Sequence, residues 1–378
     1  MHKVRLGEID ALRFIAAVSV AMFHLAFWSW APEAAYSTSK AVSLGRYSYE
    51  SIQSIASLGW VGVEIFFVIS GFVIVYSATG GPWRFLRSRL LRLVPAVWIC
   101  APVTAAVLIY FSVFMPSDII GMTVRSLVFW PKGPWVDGVY WTLGVEISFY
   151  ALMFVLLVIG RLAWINLALC LVGLLSSAYW LAALPIGIFP VAHIDEMLAR
   201  LLLIRHGCFF AIGGLLWTLQ GTKAGRGLWL VILTCMAAGY VEILDAGREP
   251  VTLAGPAWLS HIAAVTWVAS VGFLILAVKR ELHGHRWQSP CLRAAGLATF
   301  PLYLLHDVVG AWLLRVSSWA GLSRWVALAL SLFAVIGLSF LVSHIAEPVV
   351  RTGLRRLIDS RYFRRIQRIV EYRYRNLP

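Results

Sequence analysis

The feature that most constrains this chain is the recurrence of apolar runs about twenty residues long. At helical rise such a run spans ~30 Å, the thickness of a bilayer's hydrocarbon core. No water is available there to satisfy an open backbone, so each run must close its own hydrogen bonds as a helix. The runs fall at roughly 11–30, 59–78, 93–113, 139–160, 162–184, 198–219, 227–244, 257–278, 296–315 and 324–346. They predict an all-α polytopic membrane protein of about ten transmembrane helices. Composition agrees, with 60% hydrophobic and only 13% charged residues.

Charge gives the orientation. Lys and Arg number 32 against 18 Asp and Glu, a net charge of +14 that in a soluble protein would point to nucleic acid. Here its distribution supplies another reason. With the N-terminus in the cytoplasm, 23 of the 32 basic residues fall in inner segments, as the positive-inside rule requires, and both termini are cytoplasmic. The first thirty residues have a basic start and an apolar core but are followed by many comparable runs, so they read as an uncleaved first span. The chain divides into a transmembrane domain, 1–348, and a basic tail, 349–378, whose arginines alternate with Leu, Ile, Val, Tyr and Phe. That tail fits an amphipathic helix on the anionic inner leaflet, and no nucleic-acid partner is expected. The outer loops 31–58 and 114–138 can partly cover an outward-facing cleft. The five cysteines lack CxxC spacing and read as packing residues. His283 and His285 have no third ligand beside them in sequence and read as a solvated loop, so no metal is expected.

Polar residues inside the runs carry the functional signal. Arg13 stands at the entrance of the first run and His24 eleven residues on, ~16 Å away if helical and beyond mid-bilayer. Counting from each predicted entrance puts Glu64, Glu146, Arg205, His206, His306 and Asp307 in the middle or outer half as well. Any one of these can be a packing device, paired only to fix helix contacts. Convergence from five runs suggests a polar chamber. At the inner face a short loop delivers RFLRSRLLRLVP, with Arg84, Arg87, Arg89 and Arg92. These arginines suit either positive-inside anchoring or, through their planar forks, a phosphate clamp.

Together these elements resemble the acyltransferase-3 family of membrane-bound, acyl-CoA-dependent O-acyltransferases. The family's Arg, ten residues, His pattern is matched by Arg13 and His24. GWVGVEIFFVISGF, Gly59 to Phe72, is similar to its GV(D/E)xFFxxSGF, and Arg89, Arg92, Leu93 and Pro95 match its RxxRLxP. WTLGVEISFY, with Trp141, Glu146 and Tyr150, looks like WxLxxExxFY, and GLATFPLYLLH, ending at His306, looks like GxxSYxLYLxH. The chain departs from the pattern in three places: Thr299 and Phe300 stand for Ser-Tyr, Glu347 and Pro348 lack a following Lys, and the Arg205, Phe210, Gly213 element is one residue longer.

The resemblance implies an enzyme of the bacterial inner membrane that moves an acyl group, acetyl above all, from cytoplasmic acyl-CoA to a hydroxyl of a cell-surface or exported glycan, with no metal. His24 would act as general base or as acyl acceptor, Arg13 and Glu146 would complete the catalytic set, and Arg84, Arg87, Arg89 and Arg92 would hold the nucleotide phosphates. Glu64, Arg205, His306, Asp307, Trp141 and Tyr150 would shape the acceptor site. Exopolysaccharide, O-antigen, a lipid-linked oligosaccharide and a macrolide all remain open as acceptors. A proton-coupled transporter or flippase is the alternative, since buried His and carboxylates also relay protons. A structural partner of a polysaccharide export complex is the third reading.

Overall fold

A computed structural model describes residues 7–31, 37–186, 195–220, 225–282 and 289–360, with Phe363, Gln367 and Glu371. These residues are helical with no strand among them. We label the main helices α1 (Gly7–Phe23), α2 (Gly62–Ala78), α3 (Pro82–Tyr110), α4 (Trp141–Val158), α5 (Ile165–Ile186), α6 (Gly207–Thr218), α7 (Arg226–Ala246), α8 (Leu259–Leu282), α9 (Pro290–Leu305), α10 (Val308–Trp319), α11 (Arg324–Leu341) and α12 (Glu347–Ile358). Among the described residues eight helical stretches are long and apolar enough to cross a membrane, or nine if α9 and α10, bent by 72° at their junction, count as one. The protein is thus an all-α, multi-pass membrane protein.

The difference from ten runs lies at two places where an apolar run does not make one straight helix. The run expected at 198–219 divides into a short helix, Glu196–Leu201, and the twelve-residue α6. Leu203 in between has φ +60°. The Arg205 carbonyl in this turn accepts the Trp180 indole N–H at 2.8 Å, and its guanidinium reaches Glu196 Oε1 at 3.0 Å. The run expected at 296–315 breaks between α9 and α10. Pro301 lies inside α9 and has no N–H to give the preceding turn, which weakens the helix shortly before its end. The RFLRSRLLRLVP segment also differs from the expected loop. It forms the opening turns of α3, with Pro82 at the helix start, where a missing N–H costs nothing. His283, His285, Lys3 and Arg5 lie outside the described residues, as does most of the tail beyond Ser360.

The chain packs as two compact units, Met1–Val63 with Ala96–Thr142 and Ile243–Pro348, and Glu64–Pro95 with Leu143–Glu242 and Val349–Pro378. In the first unit α1 packs along α9, α9 against α11, and α10 against both α11 and the short helix Thr38–Ser43. The segment after that short helix is tied down by side chains to main chain. Tyr47 and Tyr49 donate to the carbonyls of Leu322 (2.8 Å) and Arg324 (3.2 Å), and Arg324 donates back to Ser48 O at 3.2 Å. Arg315 reaches Val42 O at 3.2 Å while its guanidinium lies 4.1 Å from the centre of the Phe111 ring.

In the second unit α6 packs against α5, and its other side meets α2 through two glycines. A Cβ on Gly213 would sit 1.8 Å from Val68 O, and one on Gly71 2.2 Å from Phe210 O. Backbone approach of this kind is how helices associate in lipid, where water supplies no hydrophobic drive between them. Phe210 stacks obliquely on Phe149 and Phe67, at 4.6 and 5.0 Å between centroids, and fills the remaining space. In the same unit Ile358 of α12 packs on Trp83 and Leu91, and Arg351 donates to Leu91 O at 3.1 Å.

The expected consequence is that Gly213→Ala lowers stability by about 1–3 kcal/mol through overpacking. Gly227→Ala, where nothing lies within 4 Å of the new carbon, leaves it unchanged or slightly higher. Thermal unfolding of the detergent-solubilised protein reads both, and equal midpoints for the two variants would contradict the close α2–α6 contact.

Candidate functional site

His24 is placed by a change in helix winding. The first span runs as α1 to Phe23 and then widens into a π-turn over His24–Trp28, closed by Ser29 N–H donating to His24 O at 2.9 Å. Single π-turns inside membrane or soluble helices re-aim the side chains that follow and recur at functional sites. The imidazole edge-packs on Phe23, and His24 Nδ1, buried, stands 3.0 Å from Asp307 Oδ1. The contact has ion-pair distance without hydrogen-bond alignment, since neither atom has a partner meeting that geometry. The His24 side chain keeps 17% exposure against 4% for Asp307, so the ring's accessible part lies away from the buried Nδ1.

The break between α9 and α10 delivers both other members of the group. His306 closes the end of α9: its Nδ1 lies 2.8 Å from Tyr303 O and 3.2 Å from Leu302 O. Both partners are carbonyls, so Nδ1 carries the hydrogen and, in the neutral ring, Nε2 presents a lone pair. That Nε2 is buried and has no hydrogen-bond partner among the described residues, and the ring stands edge-on to His24 with centroids 4.9 Å apart. Asp307 opens α10, where the free N–H groups of a helix start favour an anion, and Ser39 of the short helix bonds its carboxylate. Asp137, fully buried, adjoins Asp307 from the loop before α4. Tyr303 completes the surround, its hydroxyl 3.1 Å from Thr142 Oγ1.

Such an arrangement can do acid–base chemistry. An imidazole backed at one nitrogen by a buried carboxylate is held in one tautomer and stabilised when its other nitrogen takes a proton. In this unit the structure brings together His24, His306 and Asp307 of the sequence-identified residues. Arg13, half-buried, lies eleven residues earlier on the same helix, and Trp141, partly buried, starts α4. Asp137 escaped the sequence reading. Its only signal was an acid directly before an apolar run, in WVDGVYW.

The second unit holds the remaining candidates. Ser70 donates to Glu146 Oε1 at 2.6 Å, and Tyr150 stands one turn on from Glu146, its buried hydroxyl without a hydrogen-bond partner among the described residues. Arg89, buried, lays its guanidinium over the rings of Tyr150 (5.5 Å) and Phe85 (5.8 Å). The four arginines of α3 therefore differ. Arg87 forms a two-point contact with Asp359, at 2.8 and 3.1 Å, Arg84 is exposed and Arg92 half-buried. Arg89 has Ser88 Oγ at 3.3 Å and no carboxylate partner among the described residues. Glu64 and Glu242 are both buried, with His206 Nδ1 3.6 Å from Glu242 Oε1. Arg205 is engaged by Glu196 and by the face of Trp180. Glu242 was legible only as one acid in the apolar run 227–244. No cluster of three or more potential metal ligands occurs among the described residues.

Comparison with known proteins agrees in kind. The model of the acyltransferase domain of the acyltransferase-3 family matches residues 6–344. A protein of Komagataeibacter xylinus named a membrane-bound transacylase, BcsY, is 24% identical over 326 residues, which cover 80% of this chain and 72% of that protein. No solved structure matches the chain.

The Ser70–Glu146 bond is charge-assisted when the carboxylate is ionised, and Ser70→Ala is expected to lower stability by about 1.5–3 kcal/mol. Ser148→Ala, which removes only a bond to the helix's own Gly144 carbonyl, is expected to change it by less than about 0.5 kcal/mol. Unfolding midpoints of the two variants in one detergent make the comparison, and no difference between them would contradict the role given to Ser70.

Proposed function

Because the chain belongs to the acyltransferase-3 family, we propose that it carries an acyl group, acetyl in the first instance, from cytoplasmic acyl-CoA to a hydroxyl of a cell-surface or exported glycan. The membrane is the bacterial inner membrane, with both termini in the cytoplasm. The observation that carries this reading is the buried contact between His24 and Asp307. His24 takes the proton of the acceptor hydroxyl as its oxygen attacks the thioester carbonyl. The tetrahedral intermediate then expels the CoA sulfur, which receives that proton, so an ester and a free thiol replace a thioester and an alcohol. Asp307 stabilises the imidazolium between the two transfers. The same imidazole as a transient acyl carrier is compatible with the geometry, because the nitrogen away from Asp307 serves either role. The family motifs add Arg13 and Glu146 to the catalytic set, and Glu146 is engaged by Ser70.

The donor's phosphates fall to α3. Arg87 is already held by Asp359, so Arg89, Arg92 and Arg84 are the groups free to clamp a phosphate, and Arg89 is pre-oriented by its aromatic neighbours. Glu64, Arg205, His306 and Trp141 shape the acceptor side. The likeness to a transacylase supports acyl transfer, while the glycan acceptor rests on the sequence motifs.

One observation favours a second reading. The 72° break at His306 and Asp307 is the kind of interrupted span that transporters use for their binding sites, and here it carries ionisable groups. Proton-coupled uptake into proteoliposomes without acyl-CoA would favour that reading.

Three measurements test the enzyme. His24→Ala in inserted, folded protein is expected to lower transfer by about 10²–10⁴-fold, and retained transfer would remove the mechanism. Acyl-CoA is expected to raise the unfolding midpoint of the wild type and of Arg87→Ala, with the rise much reduced in Arg89→Ala. An unchanged rise in Arg89→Ala would return that side chain to membrane anchoring. Mass spectrometry of surface glycans is expected to show an acyl mass lost on deleting the gene, and identical glycans would exclude that acceptor class.

A further inference from the structure

Asp137 is a buried acid without a role in the proposed transfer. It is fully buried, in the loop just ahead of α4, and is held by two backbone donors from different elements. Oδ1 accepts from Val139 N–H at 3.2 Å, and Oδ2 from Val308 N–H, the first of α10, at 3.4 Å. Its carboxyl meets that of Asp307, which is 3% exposed and whose Oδ1 faces His24 at 3.0 Å. Two carboxyls in contact and out of water do not both ionise readily, because like charges at that range repel strongly in a low dielectric. One proton between them removes that cost, as in paired-aspartate active sites.

The surroundings decide which oxygen keeps the proton. Asp307 faces His24 and His306 and accepts from Ser39, all of which favour its anion. Asp137 faces Asp307 and Tyr140, with Cys100 beyond the tyrosine, and none of these is a cation. We infer that Asp137 is a positioning residue of the transfer reaction: it stays protonated and donates its O–H to Asp307, holding that carboxylate anionic and turned towards His24. The inference rests on the reading of His24 as the general base. Its sequence signature is the acid just ahead of the WTLGVE run, brought to the break between α9 and α10 by the fold.

The test uses full-length protein in membranes or detergent, with Asp137→Asn as the central variant. An amide is neutral, keeps an oxygen for Val139 N–H and presents an N–H where the acid presents O–H, giving up only the longer acceptance from Val308 N–H. Asp137→Asn is expected to keep kcat/KM within about threefold of wild type with the acidic limb of the pH–rate profile in place, while Asp137→Ala loses about tenfold or more. The wild-type minus Asp137→Asn infrared difference spectrum is expected to contain the carbonyl band of a protonated carboxylic acid at neutral pH. Two results overturn the inference: a folded Asp137→Asn as slow as the alanine variant, with the acidic limb moved down by about a pH unit, or an infrared difference without the acid band. If Asp137→Ala does not fold, the asparagine variant and the spectrum decide. His24→Ala separates the two claims, because retained transfer there removes the general-base reading while the infrared band still reports on the Asp137 proton.

Discussion

A charged or polar group inside hydrocarbon persists only with partners, and in this protein the partners make the site. His24 and Asp307 meet at 3.0 Å with the carboxylate almost wholly buried. The proximity serves both groups at once, because the imidazole gains an anion when protonated and the carboxylate then gains a nearby cation. Neither residue is in position without the local failure of a regular helix. His24 begins a π-turn, and Asp307 lies where α9 stops and α10 starts at 72° to it.

The break between α9 and α10 is stabilised by the residues it displays. A helix that stops inside a membrane leaves carbonyls without donors, which is costly away from water. His306 meets that need by directing Nδ1 at Leu302 O and Tyr303 O, which fixes its tautomer, while its ring stands edge-on to that of His24. The start of α10 supplies N–H groups to the acids, Val308 N–H going to Asp137. Capping and the proposed chemistry thus draw on the same side chains.

The sequence carried the fold class plainly, because apolar length alone dictates helices in lipid. It did not carry the places where helices stop. Pro301 was visible, but the closure of α9 by His306 depends on a ring orientation that no spacing displays. That His24, His306 and Asp307 fall within apolar runs was legible in the sequence, whereas the pairing was not, since neighbouring runs in the chain need not be neighbours in space. The carboxylate facing His24 is Asp307, 283 positions on, while Glu146 is engaged by Ser70. The arginines of α3 read alike in sequence. They separate only when Asp359, 272 positions from Arg87, takes one of them. Asp137 looked like a loop residue for the same reason: its significance comes from Val308 and Asp307, which lie far along the chain.

The central claim is that His24 and Asp307 work as one unit in acyl transfer. A double-mutant cycle on transfer rate, using His24→Ala, Asp307→Asn and the pair, tests it most directly. Residues that act together give strongly non-additive losses, so the double variant is expected to be no slower than His24→Ala within about threefold. Losses that multiply, with Asp307→Asn costing the same whether or not His24 is present, would contradict the account.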